Sequence, residues 1–585
     1  MNKLFRKVIA VALSSALLVT AFAGCGGGGT SSTSSGTSSG TSQSSDAGTD
    51  SSAAEGDTAA AAGDASQLAK NGVSEFKYEA GEFLKYDEPL TIAFGNNKDI
   101  NSDGLISMEE DLGEPLTDNR WTRYFSDELN IVTEYQFNIP NATDYNQQLI
   151  LSMTAGDLPD IFLVQDLSTL SQLADAGVIA DLTTVYQENV NPTLAGIIEG
   201  EGTDIYNPMI YDGKLVGIPV KMPSTNGYNH CWVRQDWLDE LGLERPETMD
   251  DVYEITKAFK EHYPDNIGMM LNQDYIAEMK GIFWAYGGTT AVRKYWKVLD
   301  DGTLGFSEVQ PEMKGGLEFL QKMYNEGLVN KEFATEDIAT AFEYVANNQC
   351  GIYFGPHWYG FRLENAEASL DDSANWVACG LPTGIEGEET KVYATNTFDG
   401  VWCVNAEFEH PEALVHLLNA YAEKLFGEEN DFENFFACPG NSSCWGASPV
   451  HVLDAEVDLT PHLQMKEALE NDAMDELTGV GKTYWDYIQN GQTAYQYMFG
   501  PKDSCFEFVG ETYPDIVVWN GYYGAPTKTW ADRWSSMQEL IDTTYLSIIT
   551  ENMDVDSTFD AMVEEWYSIG GEAVTQEVNE IYATY

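Results

Sequence analysis

From Leu90 onward the apolar positions switch back and forth between a period of two and a period near 3.6. Leu90-Thr91-Ile92-Ala93-Phe94 reads as a short strand. Trp121, Tyr124, Phe125 and Leu129 fall on one face of a helix over 121–129, and Ile131 to Phe137 alternates as a second strand. Tyr145 to Ala155 is helical and stops at Gly156. Pro159 leads into Asp160-Ile161-Phe162-Leu163-Val164, which is nearly all apolar, as a strand covered on both faces must be. Leu167 to Ala176 is a helix closed by Gly177. Strand–helix alternation of this kind predicts βαβ units and a parallel sheet. Further on, Thr248-Met249-Asp250-Asp251 fits a capping box ahead of the stripe Val252, Ile255, Phe259. Two helical patterns near the end, Phe559–Trp566 and Val574–Tyr582, are separated by Gly570-Gly571.

The first ninety residues follow other rules. Lys3, Arg6 and Lys7 precede an apolar run from Val8 to Phe22 that is too short to span a bilayer comfortably, so 1–24 is expected to be a signal peptide. Ala23-Gly24-Cys25 resembles a bacterial lipobox, although Phe22 stands where Leu is usual. The resemblance implies a lipidated Cys25 at the mature N-terminus. Residues 26 to about 67 are Gly, Ser, Thr, Ala and Asp with no aromatic side chain, and have nothing to bury. The segment 25–87 is therefore expected to be a disordered linker, with a reach of roughly 40 Å, ahead of a folded body over 88–585.

Charge narrows the partners. Thirty Lys and Arg face 94 Asp and Glu, a net charge of −64 over 585 residues. That field repels nucleic acid and anionic lipid, so membrane attachment is expected only through the lipid. Aromatic content is 12%, which suits uncharged, ring-bearing ligands. Beyond Cys25 there are seven cysteines, so at least one is unpaired; Cys438 and Cys444 are near enough in sequence to close a small loop.

DINSDGLISMEE, residues 99–110, carries metal chemistry. Asp99, Asn101, Asp103, Gly104, Ile106, Ser107 and Glu110 occupy the positions of an EF-hand loop, with the Leu105 carbonyl available as a further oxygen. Short oxygen-bearing side chains at this spacing can face one ion, and the last carboxylate can clamp it with both oxygens. The expectation is a structural Ca²⁺ held by Asp99, Asn101, Asp103, Leu105, Ser107 and Glu110. A strand precedes the loop, so it is EF-hand-like rather than a paired sensor.

Aromatic residues in loops are the other candidates, because sugar C–H faces stack on Trp and Tyr while hydroxyls need Asn, Gln or Asp. Trp284 and Tyr286 precede Gly287-Gly288; Trp358 lies in GPHWYG (355–360); Asn396, Asp399 and Trp402 lie in NTFDGVW (396–402); Trp445 follows Cys444. Each Trp is equally suited to core packing, and two or three of the set are expected to line a site. Within 88–585 the motifs H-E-x-x-H, G-x-S-x-G and G-x-G-x-x-G are absent, and TGVGKT (478–483) lacks the first glycine of a phosphate loop. No enzymatic activity is expected.

Taken in order, TAGDLPDI (154–161), LADAGVIADLT (173–183), YDGKLVGIPV (211–220), VRQDWLDELGL (233–243) and GGEAVTQEVNEIY (570–582) resemble the extracellular solute-binding proteins of bacterial ABC importers, carbohydrate-type family 1 lipoproteins. The resemblance implies an α/β, two-lobed periplasmic-binding-protein-like fold of type II. A monomer would capture a carbohydrate in the cleft and deliver it to the permease from the outer face of the cell membrane. Ligands of open α/β sheets sit beyond the carboxyl ends of strands. Asn96 after the first strand, and Gln165 and Asp166 after the third, are therefore expected to face the cleft. A neutral oligosaccharide fits the acidic charge; a secreted glycoside hydrolase and a peptide-binding lipoprotein are the alternatives.

Overall fold

Two separate sheets organise the chain. The computed structural model describes residues 64–583 except 101–102, 201, 222, 291–293, 368, 371–373, 396–397, 437–443, 523 and 525. The expected signal peptide and Cys25 lie outside the described residues. In chain order, β1 (Leu90–Asn96), β2 (Ile131–Asn138), β3 (Ile161–Val164) and β4 (Ile218–Lys221) belong to the first sheet. β5 (His230–Arg234), β6 (Met269–Met270), β7 (Ile352–Gly355) and β8 (Trp376–Cys379) form the second, and β9 (Phe398–Val404) returns to the first. The spatial orders are β2-β1-β3-β9-β4 and β8-β5-β7-β6.

The predicted strands and helices of the first lobe are present, with β1 parallel to both β2 and β3. The all-parallel sheet is corrected in one place: β9 runs antiparallel to β3 and β4. The reason is topological. β9 enters from the second lobe, so it starts at the edge where β1, β3 and β4 finish. In the second lobe β5 is antiparallel to β7 and β8, with His230 opposite Gly355 and Cys231 opposite Cys379. The end of β4, the starts of β5 and β9 and the ends of β7 and β8 thus all meet where the chain crosses between lobes. The described parts of the crossings are residues 223–229, 380–395 and 452–458, and Thr225 Oγ1 in the first donates to the Ala455 carbonyl in the third at 3.2 Å.

Local signals explain the helix boundaries. Asn119 accepts from the backbone of Trp121 and Thr122 in a capping box that starts Arg120–Leu129, and Asn130 ends it in the left-handed region. The predicted box at Thr248 forms reciprocally with Asp251 ahead of Met249–His262. The glycine pair near the C-terminus marks a π-helical turn between Val555–Trp566 and Glu572–Tyr582.

Residues 64–87, expected to belong to the linker, are part of the folded body. From Asp64 the chain packs on the first lobe: Ser66–Asn71 is helical and Leu68 is fully buried. The Ala65 N–H donates to the Gly213 carbonyl, Val73 N–H to Glu199 and Leu84 N–H to His416 Nδ1, while the Tyr86 hydroxyl donates to Glu412. Phe76, Phe83 and Tyr86 give this arm the apolar surface that the Gly/Ser tract lacks. His416 is fully buried, and burial pushes its imidazole down to about 4. The arm needs the neutral ring as acceptor. Docking is therefore unaffected by pH above the unfolded value near 6.5 and weakens as pH falls from there toward 4. Lowering pH from 7 to 4.5 is expected to speed cleavage within residues 72–87 by a protease active across that range, ahead of cleavage elsewhere.

Candidate functional site

A cavity of about 310 Å³ lies where the lobes and crossings meet. Asp399 at the start of β9, Phe436 and Trp445 line it from the first lobe; His357, Phe361, Tyr484, Tyr495, Met498 and Phe499 from the second; Pro223, Leu453, Val457 and Asp458 from the crossings. The walls are aromatic, and the lining residues include two carboxyls and no Lys or Arg.

The first-lobe wall is built on a pinned loop. Four side-chain donors hold successive carbonyls of residues 444–451. Trp121 Nε1 donates to Cys444 at 3.1 Å, Asn119 Nδ2 to Ala447 at 3.2 Å, Asn96 Nδ2 to Pro449 at 3.0 Å and Trp402 Nε1 to His451 at 2.9 Å. Held this way, the loop presents Trp445 between Phe436, stacked at 6.1 Å, and His451, edge-on at 5.9 Å. Cys444 is disulfide-bonded, while Cys231, Cys350, Cys379, Cys403 and Cys505 are free and buried. Cys438 lies outside the described residues.

This geometry reassigns several expected ligand contacts. Asn96 is 1% exposed and Trp402 is fully buried. Each has its donor committed to the loop, so both support the wall instead of touching cargo. Trp284 is core: it is 1% exposed and its Nε1 donates to the Thr290 carbonyl at 2.7 Å. Tyr286 packs within the second lobe against Phe319, Gly315 and Gly384, away from the cavity. Asp166 caps Leu167–Asp175 and accepts from Asn146. With Asn146 and Leu151 it borders a shallow, open hollow of about 540 Å³ on the first lobe. Gln165 precedes it with Oε1 buried and without a protein partner. Trp358 is 43% exposed and edge-on to the cavity residue His357. Asn396 lies outside the described residues. Asp399 and Trp445 are on the cavity wall.

The sequence reading missed His357, Asp458 and the aromatics of 484–499. His357 sits inside GPHWYG, directly before Trp358. The turn depends on Gly355, since a Cβ there would meet the Tyr359 ring at 2.3 Å. TGVGKT proves to be a helix start, Gly479–Gln489, with Lys482 paired to Asp486.

The ionisable groups differ in state. Asp399 Oδ2 lies 2.7 Å from His451 Nε2. Burial alone would raise its carboxyl, but His451, with Lys98 nearby, carries it below the ordinary value. Asp458 lacks such help, and burial pushes it up to about 7. Burial also lowers the His357 imidazole to about 3.

In the calcium-like stretch, Asp99 and Glu110 are exposed carboxylates, and a helix, Asp103–Leu112, already covers its second half. Asn101 and the side chains of Asp103 and Ser107 lie outside the described residues. Among the described residues no three His, Cys, Asp or Glu converge on a metal position. No helix among them is long and apolar enough to cross a membrane.

Two α/β lobes joined by three crossings around an aromatic cavity define a two-lobed, cleft-type binding protein of the periplasmic-binding-protein-like fold. The sequence profile of the family described as "Bacterial extracellular solute-binding protein" matches residues 114–402, and the chain belongs to that family. Among curated proteins, the polygalacturonan/rhamnogalacturonan-binding protein YtcQ of Bacillus subtilis is 23% identical over 459 residues, covering 76% of this chain and 84% of that one. Among solved structures, a human-milk-oligosaccharide (HMO) binding, ABC-transporter-associated solute-binding protein of Bifidobacterium longum infantis superposes with a TM-score of 0.57 at 15% identity, over 85% of this chain and 99% of that one. The EF-hand mutant of the S. pneumoniae substrate-binding protein FusA, in complex with fructo-nystose, gives 0.54 at 17% identity, over the same 85% and 99%.

Proposed function

We propose that the protein captures a neutral oligosaccharide outside the cell and hands it, unchanged, to the permease of an ABC importer. One observation carries the choice of ligand: an inter-lobe cavity walled by Trp, Tyr and Phe whose lining charges are both carboxyls. Aromatic faces stack on sugar rings and carboxyls accept from hydroxyls, whereas a uronate would meet like charge with no lining cation. The relatives' ligands support a saccharide, and their range from pectic polymers to fructo-oligosaccharides leaves the discrimination to this cavity. Lobe closure would expel water and turn modest polar contacts into a specific grip. A lipidated Cys25 would keep the monomer at the outer face of the membrane, tethered through the segment before residue 64.

The test is a thermal-shift panel of kestose, maltotriose, xylotriose and digalacturonate at pH 7.5. At least one neutral sugar is expected to raise the melting point by mass action, and digalacturonate to leave it unmoved. Stabilisation by digalacturonate alone would overturn the reading.

A second reading, glycan hydrolysis, is favoured by one observation: Asp399 and Asp458 line the same cavity with their acidities moved in opposite directions, as an acid and a carboxylate would be. Incubation of pure protein with the sugar that binds, followed by a reducing-end assay, separates the two; no new reducing ends are expected.

Calcium belongs to the same proposal. Asp99, Asn101, Asp103, Ser107 and Glu110 would hold it with the Leu105 carbonyl, and the ion would pin the segment that leaves β1. Hard oxygen donors are the right chemistry. EDTA is expected to lower the melting temperature and added Ca²⁺ to restore it, with Glu110→Gln insensitive to both.

A further inference from the structure

Asp458 stands immediately before the helix Leu459–Glu470, in the position where Asp usually caps, yet its side chain makes no capping bond. The sequence explains why. The third helical residue is Pro461, which has no N–H, and the Thr460 N–H is already taken by the Glu456 carbonyl at 2.8 Å. With nothing to cap, the carboxyl lines the cavity. Its side chain is 16% exposed, and its one ionic neighbour among the described residues, His357 Nε2, stands 4.0 Å away, beyond a hydrogen bond. His357 lines the same cavity, 7% exposed at its side chain, with Nδ1 buried and unpartnered. Buried polar groups in a folded protein are nearly always satisfied. His357 Nδ1 is such a group left over, and the part-exposed Asp458 carboxyl beside it is the one a ligand in the cavity can reach.

The other titratable groups around Asp458 do not satisfy it. Asp399 across the cavity is committed to His451. Tyr484, on the neighbouring helix Gly479–Gln489, senses the Asp458 charge but forms no recorded bond to it. Tyr495 on Thr493–Phe499 faces the Tyr484, Tyr487 and Phe499 rings. His462, on the helix of Asp458, is turned to the Gly500 carbonyl at 2.9 Å. His230 on β5, behind His357, is fully buried and held neutral by burial, at about 3. Cys505, at the start of the adjacent helix Cys505–Thr512, is a buried thiol raised well above its ordinary value.

We propose that Asp458 is the specificity-determining residue of the cleft, its carboxylate accepting two hydroxyls of the bound sugar and so giving up its proton when cargo is captured. The assignment rests on the carbohydrate reading above and deepens it. Without cargo the carboxyl keeps its proton up to about pH 7 because it is desolvated. Two hydroxyl donors favour the ionised form, so binding releases a proton and affinity rises with pH.

The cost falls on the free protein. An acid whose folded value is raised above 3.8 destabilises the fold increasingly as pH climbs from 3.8 to about 7, and fully above that. Asp458→Asn removes the cost together with the charge and replaces one of the two acceptor oxygens with an NH2 donor. Without ligand, Asp458→Asn is expected to raise the melting temperature at pH 8 by a few degrees and to leave it unchanged at pH 4. A merely structural carboxylate would show the opposite at pH 8, and that result would overturn the proposal. Calorimetry with kestose, maltotriose and xylotriose at pH 6 and pH 8 supplies the second readout. The ionised fraction rises from about one in ten to about nine in ten over this interval, so wild-type affinity is expected to rise about tenfold. Asp458→Asn is expected to bind at least tenfold more weakly at pH 8, with no pH dependence. Equal pH profiles for the two proteins would overturn the role of Asp458 alone. Absence of binding by all three sugars at both pH values would overturn the carbohydrate reading and the hydroxyl assignment with it.

Discussion

Trp121→Ala is expected to lower unfolding free energy by about 3–5 kcal/mol, the cost of deleting a large aromatic side chain from a packed core, and to weaken sugar binding as well. The indole is fully buried. It stacks on Tyr421 at a centroid distance of 4.7 Å and meets Phe435 edge-on at 4.8 Å, so truncation leaves a cavity that three elements border. It also removes the donor to the Cys444 carbonyl, which unmoors the first of the four fixed points of the loop carrying Trp445. Trp121→Phe separates the two effects. It keeps most of the packing and loses the N–H, at about 1–3 kcal/mol for the buried carbonyl left unpaired. Denaturant unfolding measures the first quantity and calorimetric titration with the panel sugar the second. A Trp121→Ala protein with wild-type stability would show that the loop and the first-lobe core are not built on this residue.

Trp445→Ala is expected to behave in the opposite way. The side chain is only part-buried and its contacts are Phe436 and His451 at the cavity wall, so stability should change little. Affinity should fall by about 2 kcal/mol, roughly thirtyfold, as is usual when a central aromatic anchor is removed from a binding site. Trp284→Ala provides the contrast. That residue is core, and its truncation should cost stability while leaving the cavity wall untouched. Melting curves paired with titrations decide both cases. Equal affinity for wild type and Trp445→Ala would place the sugar elsewhere.

These contrasts also show where reading the chain alone succeeds. β1, β2, β3 and the helices between them are local events, set by period, caps and glycine stops, and the residues that make them are contiguous. The direction of β9 is not local. Phe398–Val404 looks the same whichever way it runs, and only the journey through the second lobe turns it over. The tryptophans fail for a related reason. Trp284 and Trp402 are core, each sending its N–H to a carbonyl 6 or 49 residues along the chain, whereas Trp445 stands on the wall between Phe436 and His451, and the flanking residues show none of this. Asn96 was read as facing the cleft because it ends a strand. It does end at the cleft edge, but its amide reaches Pro449. Asp458 was hidden by its own helix-start signature, and only the proline three residues on, together with the bond from Thr460, shows that it has nothing to cap.

The docked arm has one more consequence. Its recorded anchors, Gly213, Glu199, His416 and Glu412, all lie outside the second sheet and its helices, on the half of the molecule that holds β1 to β4. The described chain therefore begins on that half. The half built on β5 to β8 bears none of these anchors, so stripping the arm away would bare surface on one half and leave the other as it was.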